Sequence, residues 1–234
     1  MTAHTVSKAM ILAAGHGTRM RPLTDQTPKP LLKVGGKSLL EWHLEKLAQA
    51  GFREVVINIA WLGWQIPEAL GDGSRWGLQL HYSDEQKEGA LETAGGILKA
   101  LPLLDDAPFW VVNGDVWCDY PYQPLSLGKD DLAHIVLVDN PPQHPQGDFV
   151  LEQGRVLSEY KTASKLTFSG IGLYRPALFA ELAYGSHKLA PLLRQAMQAR
   201  RVSGEHYRGQ WQDIGTPQRL REWDAVLQKK GRFS

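Results

Sequence analysis

One cysteine, Cys118, stands among 234 residues, so the chain can build neither an intrachain disulfide framework nor a site of four cysteines around a metal. Surplus charge is as scarce. The 26 Lys and Arg face 25 Asp and Glu, a formal charge of +1, which leaves no polybasic surface to track a nucleic-acid backbone. No stretch approaches the roughly 20 apolar residues that cross a bilayer. Behind a polar Met1 to Lys8, the apolar stretch Ala9–Ala14 is too short and wrongly flanked for a signal peptide. Internal repeats and low-complexity tracts are missing as well. These absences together fit a cytoplasmic chain with no nucleic-acid or membrane partner. Cys118 itself reads as a small core residue, because no cationic neighbour in sequence would lower its pKa.

A hydrophobic share of 43% suffices for one sizeable core, so a single domain over residues 1–234 is expected. Through the first half, short apolar runs alternate with helical patterns, which predicts βαβ units and an α/β fold with a mostly parallel sheet flanked by helices. Strands are expected at Ala9–Ala13, Val55–Ile59, Leu78–Tyr82 and Phe109–Val112. Ser38 with Glu41 makes a capping box for a helix in which Leu40, Leu44, Leu47 and Ala48 recur until Gly51 stops it. A short helix is expected at Gln65–Leu70, and another capped by Thr93 and ended by Pro102. After Val138 the texture changes at Pro141, Pro142, Pro145 and Gly147. Phe149–Leu151, Val156 and Leu166–Tyr174 then read as antiparallel strands of a smaller sheet region. Helices at Pro176–Ala183 and Ala190–Arg200, a strand near His206, and a last helix opened by Thr216 and Pro217 complete the pattern. In that last helix Leu220, Trp223 and Leu227 face inward.

Directly after the first strand comes Ala13-Ala14-Gly15-His16-Gly17-Thr18-Arg19-Met20. Glycines there let backbone amides approach phosphate oxygens, and Arg19 can offset their charge. A P-loop would need Lys and Ser or Thr after the second glycine, and the dinucleotide fingerprint a third glycine where Met20 stands, so both fail. Downstream, Pro28 and Pro30 bracket Lys29 and are expected to hold it extended, aimed at the same polyphosphate.

Two carboxylates complete the set. Asp115 follows an apolar strand and Asn113-Gly114, at the carboxyl end where an open α/β sheet places its ligand crevice. Asp213 lies in Trp211-Gln212-Asp213-Ile214-Gly215-Thr216-Pro217. Magnesium is commonly held by one or two carboxylates plus substrate phosphates. Like unit charges about 4 Å apart repel by roughly 4 kcal/mol at an effective dielectric of about 20, so these carboxylates need a cation to face a polyphosphate. The histidines His16, His43, His81 and His206 are assigned to loops or packing, and Trp61 and Trp64 to the core.

In this order, Leu12-Ala13-Ala14-Gly15 through Arg19, Pro28-Lys29-Pro30, Asn113-Gly114-Asp115 and Trp211 to Thr216 resemble the sugar nucleotidyltransferases. The likeness runs over essentially the whole chain after Lys8. It implies a Rossmann-like sheet, Mg²⁺ as cofactor, a nucleoside triphosphate and a sugar 1-phosphate as substrates, and Arg19, Lys29 and Asp115 as catalytic residues. By the same likeness Ala13, Ala14, Gly15, Gly17, Thr18, Arg19 and Lys29 bind the nucleotide, and Asp115 with Asp213 hold the metal. Residues 9–138 become the nucleotide-binding half, and 139–234 the sugar-binding half with the C-terminal helices. Closer likeness at Ile59–Gly63, Val138–Pro141, Gly147–Phe149, Leu166–Ile171 and Lys188–Ala196 is to a branch of bacterial cell-wall recycling that takes UTP and N-acetylmuramate α-1-phosphate. It makes Asn113, Asp148, Glu159, Ser169 and Gly170 the substrate-binding residues, with Asn113 and Asp148 on the sugar phosphate and Glu159 on a sugar hydroxyl. Glu85–Gly96 departs from the family pattern, with Ala90 where proline is expected; Glu92 and Gly95 are its candidates for the nucleotide pocket. Another sugar 1-phosphate, or another triphosphate, is the alternative.

Overall fold

The computed structural model describes residues 7–89, 91–123, 125–159 and 164–231. Ala90 and the start of the polar Met1–Lys8 segment therefore lie outside the described residues. The first strand, β1 (Lys8–Leu12), leads through the glycine loop to a hairpin of β2 (Lys33–Val34) and β3 (Lys37–Ser38). Helix α1 (Leu39–Gln49) follows, opened by the expected capping box, with Leu40, Leu44 and Leu47 fully buried. Removing the Ser38 hydroxyl there costs about 1 kcal/mol. Next come β4 (Glu54–Ile59), α2 (Gln65–Leu70), β5 (Gln79–Asp84), α3 (Glu92–Leu104) and β6 (Phe109–Asn113). The chain continues through β7 (Val116–Cys118), β8 (Ala133–Val138), β9 (Val150–Glu152), β10 (Arg155–Leu157) and β11 (Thr167–Tyr174). It ends with α4 (Leu189–Gln198), β12 (Val202–His206), β13 (Trp211–Asp213) and α5 (Pro217–Gly231).

Nine strands form one mixed sheet in the order β5-β4-β1-β6-β11-β8-β12-β10-β9. Strands β5, β4, β1 and β6 run parallel. Their buried Val and Ile side chains reflect a sheet covered on both faces. The antiparallel strands of the second half join the far side of this same sheet through β11, which pairs with both β6 and β8. One apolar cluster gathers α1 residues and Phe52 on one face, and another gathers α3 and α4 residues on the other.

Three local expectations are corrected. Pro102 lies inside α3 rather than ending it, and Leu91 instead of Thr93 stands at its start. Leu104, 1% exposed, draws the final turn onto the core, which outweighs the single amide that Pro102 lacks. Pro176–Ala183 is only a one-turn 3₁₀ helix at Pro176–Leu178, since eight residues give too little propagation to offset nucleation without a continuous apolar face. Lys29 is not extended: Lys29–Leu31 is itself a 3₁₀ turn, because its donors are the amides of Leu31 and Leu32, which no proline removes.

Candidate active site

A cleft of about 410 Å³ opens at the carboxyl ends of β1, β4 and β6. The glycine loop forms one wall. Gly17 sits at φ +62°, and a Cβ there would lie 2.9 Å from Thr24 Cγ2 and 3.1 Å from Lys29 Cβ, so only glycine fits. The Thr24 hydroxyl donates to the Gly17 carbonyl at 2.8 Å, and fully buried Met20 anchors the turn that follows. Ala13, Ala14, Gly15, Thr18 and Arg19 line the cleft with Gly17. Arg19 is exposed and has no ion pair among the described residues.

Across the floor, the 7%-exposed Lys29 sends its Nζ to 2.6 Å from Asp115 Oδ2. Asp213 arrives by a route unforeseen in the sequence: β13 pairs antiparallel with β7, matching Asp213 to Val116, and the Ile214 amide donates to the Asp115 carbonyl at 3.0 Å. Gly215 lines the cleft, and a Cβ on it would lie 2.9 Å from Asp213 Oδ1. Asp213 Oδ2 accepts from Arg219 Nη1. In each carboxylate the other oxygen takes no hydrogen bond among the described residues. No group of three or more His, Cys, Asp or Glu suited to a metal occurs among them. Two carboxylates with a free oxygen each, on neighbouring backbone, fit a hard dication that completes its shell with phosphate and water.

A second cavity of about 310 Å³ adjoins the first and shares Glu92, Thr93 and Asn113 with it. Asp148 lines it. Its Oδ2 accepts the Phe168 amide at 2.8 Å, and its Oδ1 lies 3.1 Å from His144 Nε2. Gly170, at φ +80°, lies against Asn113: a Cβ on it would be 2.6 Å from Asn113 Nδ2.

Five expected site residues do not line these two cavities: Asp213 and Gly170, which lie against lining residues as described above, and Gly95, Ser169 and Glu159. Gly95 is buried in α3, where a Cβ would strike the Gly185 carbonyl, and its amide donates to His187 O at 3.2 Å. Ser169, 1% exposed, bonds Val136 O at 2.7 Å and the Ile171 amide at 3.1 Å, bracing a bulge in β11. Glu159 carries an 85%-exposed side chain 3.7 Å from Lys165. Trp61 and Trp64 lie at the surface rather than in the core.

Sequence reasoning passed over Asn58 and Glu85. Asn58 Oδ1 accepts the Ala13 amide at 2.7 Å, while its Nδ2 donates to Glu85 Oε1 at 2.7 Å. Glu85 also takes the Leu91 amide at 3.0 Å, and burial pushes its carboxyl above the usual range. One signal was available: Asn58 interrupts an apolar strand at its carboxyl end.

Several known proteins are similar to this chain. The N-acetylmuramate α-1-phosphate uridylyltransferase of Neisseria meningitidis is 55% identical over 226 residues, 94% of this chain and 97% of its own length. The protein of that name from Caulobacter vibrioides is 31% identical over 225 residues, 90% of this chain and 92% of its own. A structure from Bacillus anthracis assigned as a glucose-1-phosphate thymidylyltransferase, in complex with sucrose, superposes with a TM-score of 0.80 at 22% identity. It covers 94% of this chain and 95% of that one, a likeness of fold alone. With residues 8–230 matching the family described as nucleotidyl transferase, the chain belongs to that family.

Proposed function

We propose that the chain transfers UMP from UTP to N-acetylmuramate α-1-phosphate, giving UDP-N-acetylmuramate and pyrophosphate, as a cytoplasmic step of peptidoglycan recycling. The observation that carries this reading is the junction of two cavities at Asn113. A cleft walled by the glycine loop, Lys29 and Asp115 meets a sugar-sized cavity at the point where a phosphate would pass from one to the other. Supporting it, both named relatives are uridylyltransferases for this sugar phosphate.

In the reaction an oxygen of the sugar phosphate forms a bond to the α-phosphorus of UTP as the bond to the pyrophosphate oxygen breaks. The attacking oxygen is already anionic near neutral pH, so the protein's task is alignment and neutralisation of charge. Loop amides at Gly15, Gly17 and Thr18 hold the triphosphate, with Arg19 and Lys29 offsetting charge on the leaving pyrophosphate. Asn113 and Asp148 orient the sugar phosphate, with Gly170 keeping room for the Asn113 side chain. Asp115 and Asp213 would hold Mg²⁺, which when bound would supply charge neutralisation to the reacting phosphates. Residues 9–138 serve the nucleotide and 139–234 mainly the sugar.

The test is incubation with Mg²⁺, each of the common nucleoside triphosphates, and N-acetylmuramate, glucose or mannose 1-phosphate, with the product identified by mass. UDP-N-acetylmuramate as the dominant product supports the assignment. Preference for another sugar or base would replace it.

A further inference from the structure

The sugar cavity has two ends. Glu92, Thr93 and Asn113 lie where it joins the nucleotide cleft, and Arg194 lies where it meets a third, open cavity of about 520 Å³ lined also by Lys165 and Arg200. Four charged side chains line the sugar cavity itself: Glu92, Asp148, Lys188 and Arg194. Asp148 is committed to His144 and the Phe168 amide. Lys188 follows His187, whose carbonyl takes the amides of Ala94 and Gly95, so it belongs to the end near α3 and Glu92. Arg194, on α4, has its guanidinium 5.8 Å from the centroid of buried Phe149 and no carboxylate partner among the described residues. The ring gives that planar group a surface to rest on and leaves its N–H edge free.

N-acetylmuramate differs from N-acetylglucosamine by a lactyl ether whose carboxylate is ionised at neutral pH. Once its phosphate is held at the Asn113 end, that second anion must be met elsewhere in the cavity. Resting on the function proposed above, we infer that Arg194 is the specificity-determining residue that receives the lactyl carboxylate and thereby selects the muramic sugar. A guanidinium suits this because its fork of donors matches a carboxylate with two parallel hydrogen bonds.

The experiment compares N-acetylmuramate 1-phosphate, its lactamide analogue and N-acetylglucosamine 1-phosphate with the full-length protein, Arg194→Gln, Arg194→Lys and Lys188→Gln. Thermal unfolding checks that each variant is folded. A charge-assisted hydrogen bond predicts that Arg194→Gln lowers kcat/KM for the muramic substrate by about 10- to 100-fold. The two neutral-arm substrates should change by less than about threefold, and Arg194→Lys should recover part of the loss. Lys188→Gln should leave the ratio between substrates unchanged. An unaltered ratio in Arg194→Gln, or equal losses on all three sugars, overturns the assignment of Arg194 while leaving the reaction standing. Failure of the unmutated protein to use the muramic substrate overturns both.

Discussion

Lys29 Nζ and Asp115 Oδ2 meet at 2.6 Å across 86 positions of sequence, and the two partners differ in exposure, with 9% of the lysine side chain and 36% of the aspartate accessible. The ammonium is thus largely withdrawn from water and depends on the carboxylate for its counter-charge. The carboxylate keeps one oxygen toward the cleft. In the proposed reaction, an incoming triphosphate and dication would find lysine and aspartate already in place.

Replacing Asp115 by Asn strips Lys29 of that partner. The stability cost should be about 1–2 kcal/mol, below that of a fully buried pair because Asp115 faces solvent on one side. Pyrophosphate release should fall by about 100-fold or more. Denaturant titration and a coupled pyrophosphate assay measure the two effects separately. Turnover within threefold of the parent would remove Asp115 from the reacting centre.

Asp213→Asn should act on the metal requirement first. With one carboxylate lost, the Mg²⁺ concentration for half-maximal rate should rise at least about 10-fold, while chelation silences parent and variant alike. A Mg²⁺ titration at saturating UTP reads this directly, and an unmoved midpoint would show that Asp213 serves Arg219 alone.

Gly170→Ala should hit the sugar phosphate rather than the nucleotide. The backbone at φ +80° disfavours a side chain, and the new methyl would press on Asn113 Nδ2 from 2.6 Å. The expected result is a KM for sugar 1-phosphate raised about 10-fold with the KM for UTP within twofold. A rise in both equally would point to general damage.

Asn58→Ala should loosen the start of the glycine loop. It leaves the Ala13 amide and one oxygen of buried Glu85 without their partner, for about 1–3 kcal/mol of stability. The KM for UTP should rise, and hydrogen exchange at the Ala13 amide should quicken. Unchanged exchange would mean that the loop is held from elsewhere.

His43, 2% exposed in α1 beneath the Asn113–Val116 turn, has its pKa driven down to about 4 by burial. A folded value below the unfolded one means that the unfolded chain binds the proton first. The native state is therefore at full strength above about pH 6.5 and weakens as pH falls toward 4, by roughly 3 kcal/mol in all. His43→Leu should flatten stability against pH across that window, and an unchanged profile in urea titrations would place the acid sensitivity in another group.

Much of the parallel half was legible because its signals are local and repeated. The Ser38–Glu41 box, the leucine stripe behind it and the apolar run into Asn113 each name their element with several agreeing residues. The β7–β13 ribbon was not legible, since three residues on each side are too few to display a period and their pairing joins positions nearly a hundred apart. Ser169 and Gly95 show a different limit. Ser169 sits in a segment with family likeness and Gly95 in the one that departs from it, yet one braces a bulge and the other admits a neighbouring loop, duties that depend on what packs against them. Asn58 was hidden by its own strand, whose buried valines and isoleucines fit a core so well that the one amide among them drew no notice.

The third apolar cluster ties Met20 of the glycine loop to Ile214 and to Leu227 of α5, and Asp224 of that helix accepts the Gly35 amide at 2.7 Å. Helix α5, far downstream in sequence, is therefore a buttress for the glycine loop. During translation this loop emerges long before the helix that steadies it, so a ribosome-bound chain holds an unbraced loop until α5 docks. Proteolytic clipping beyond residue 210 would return the mature protein to that juvenile state.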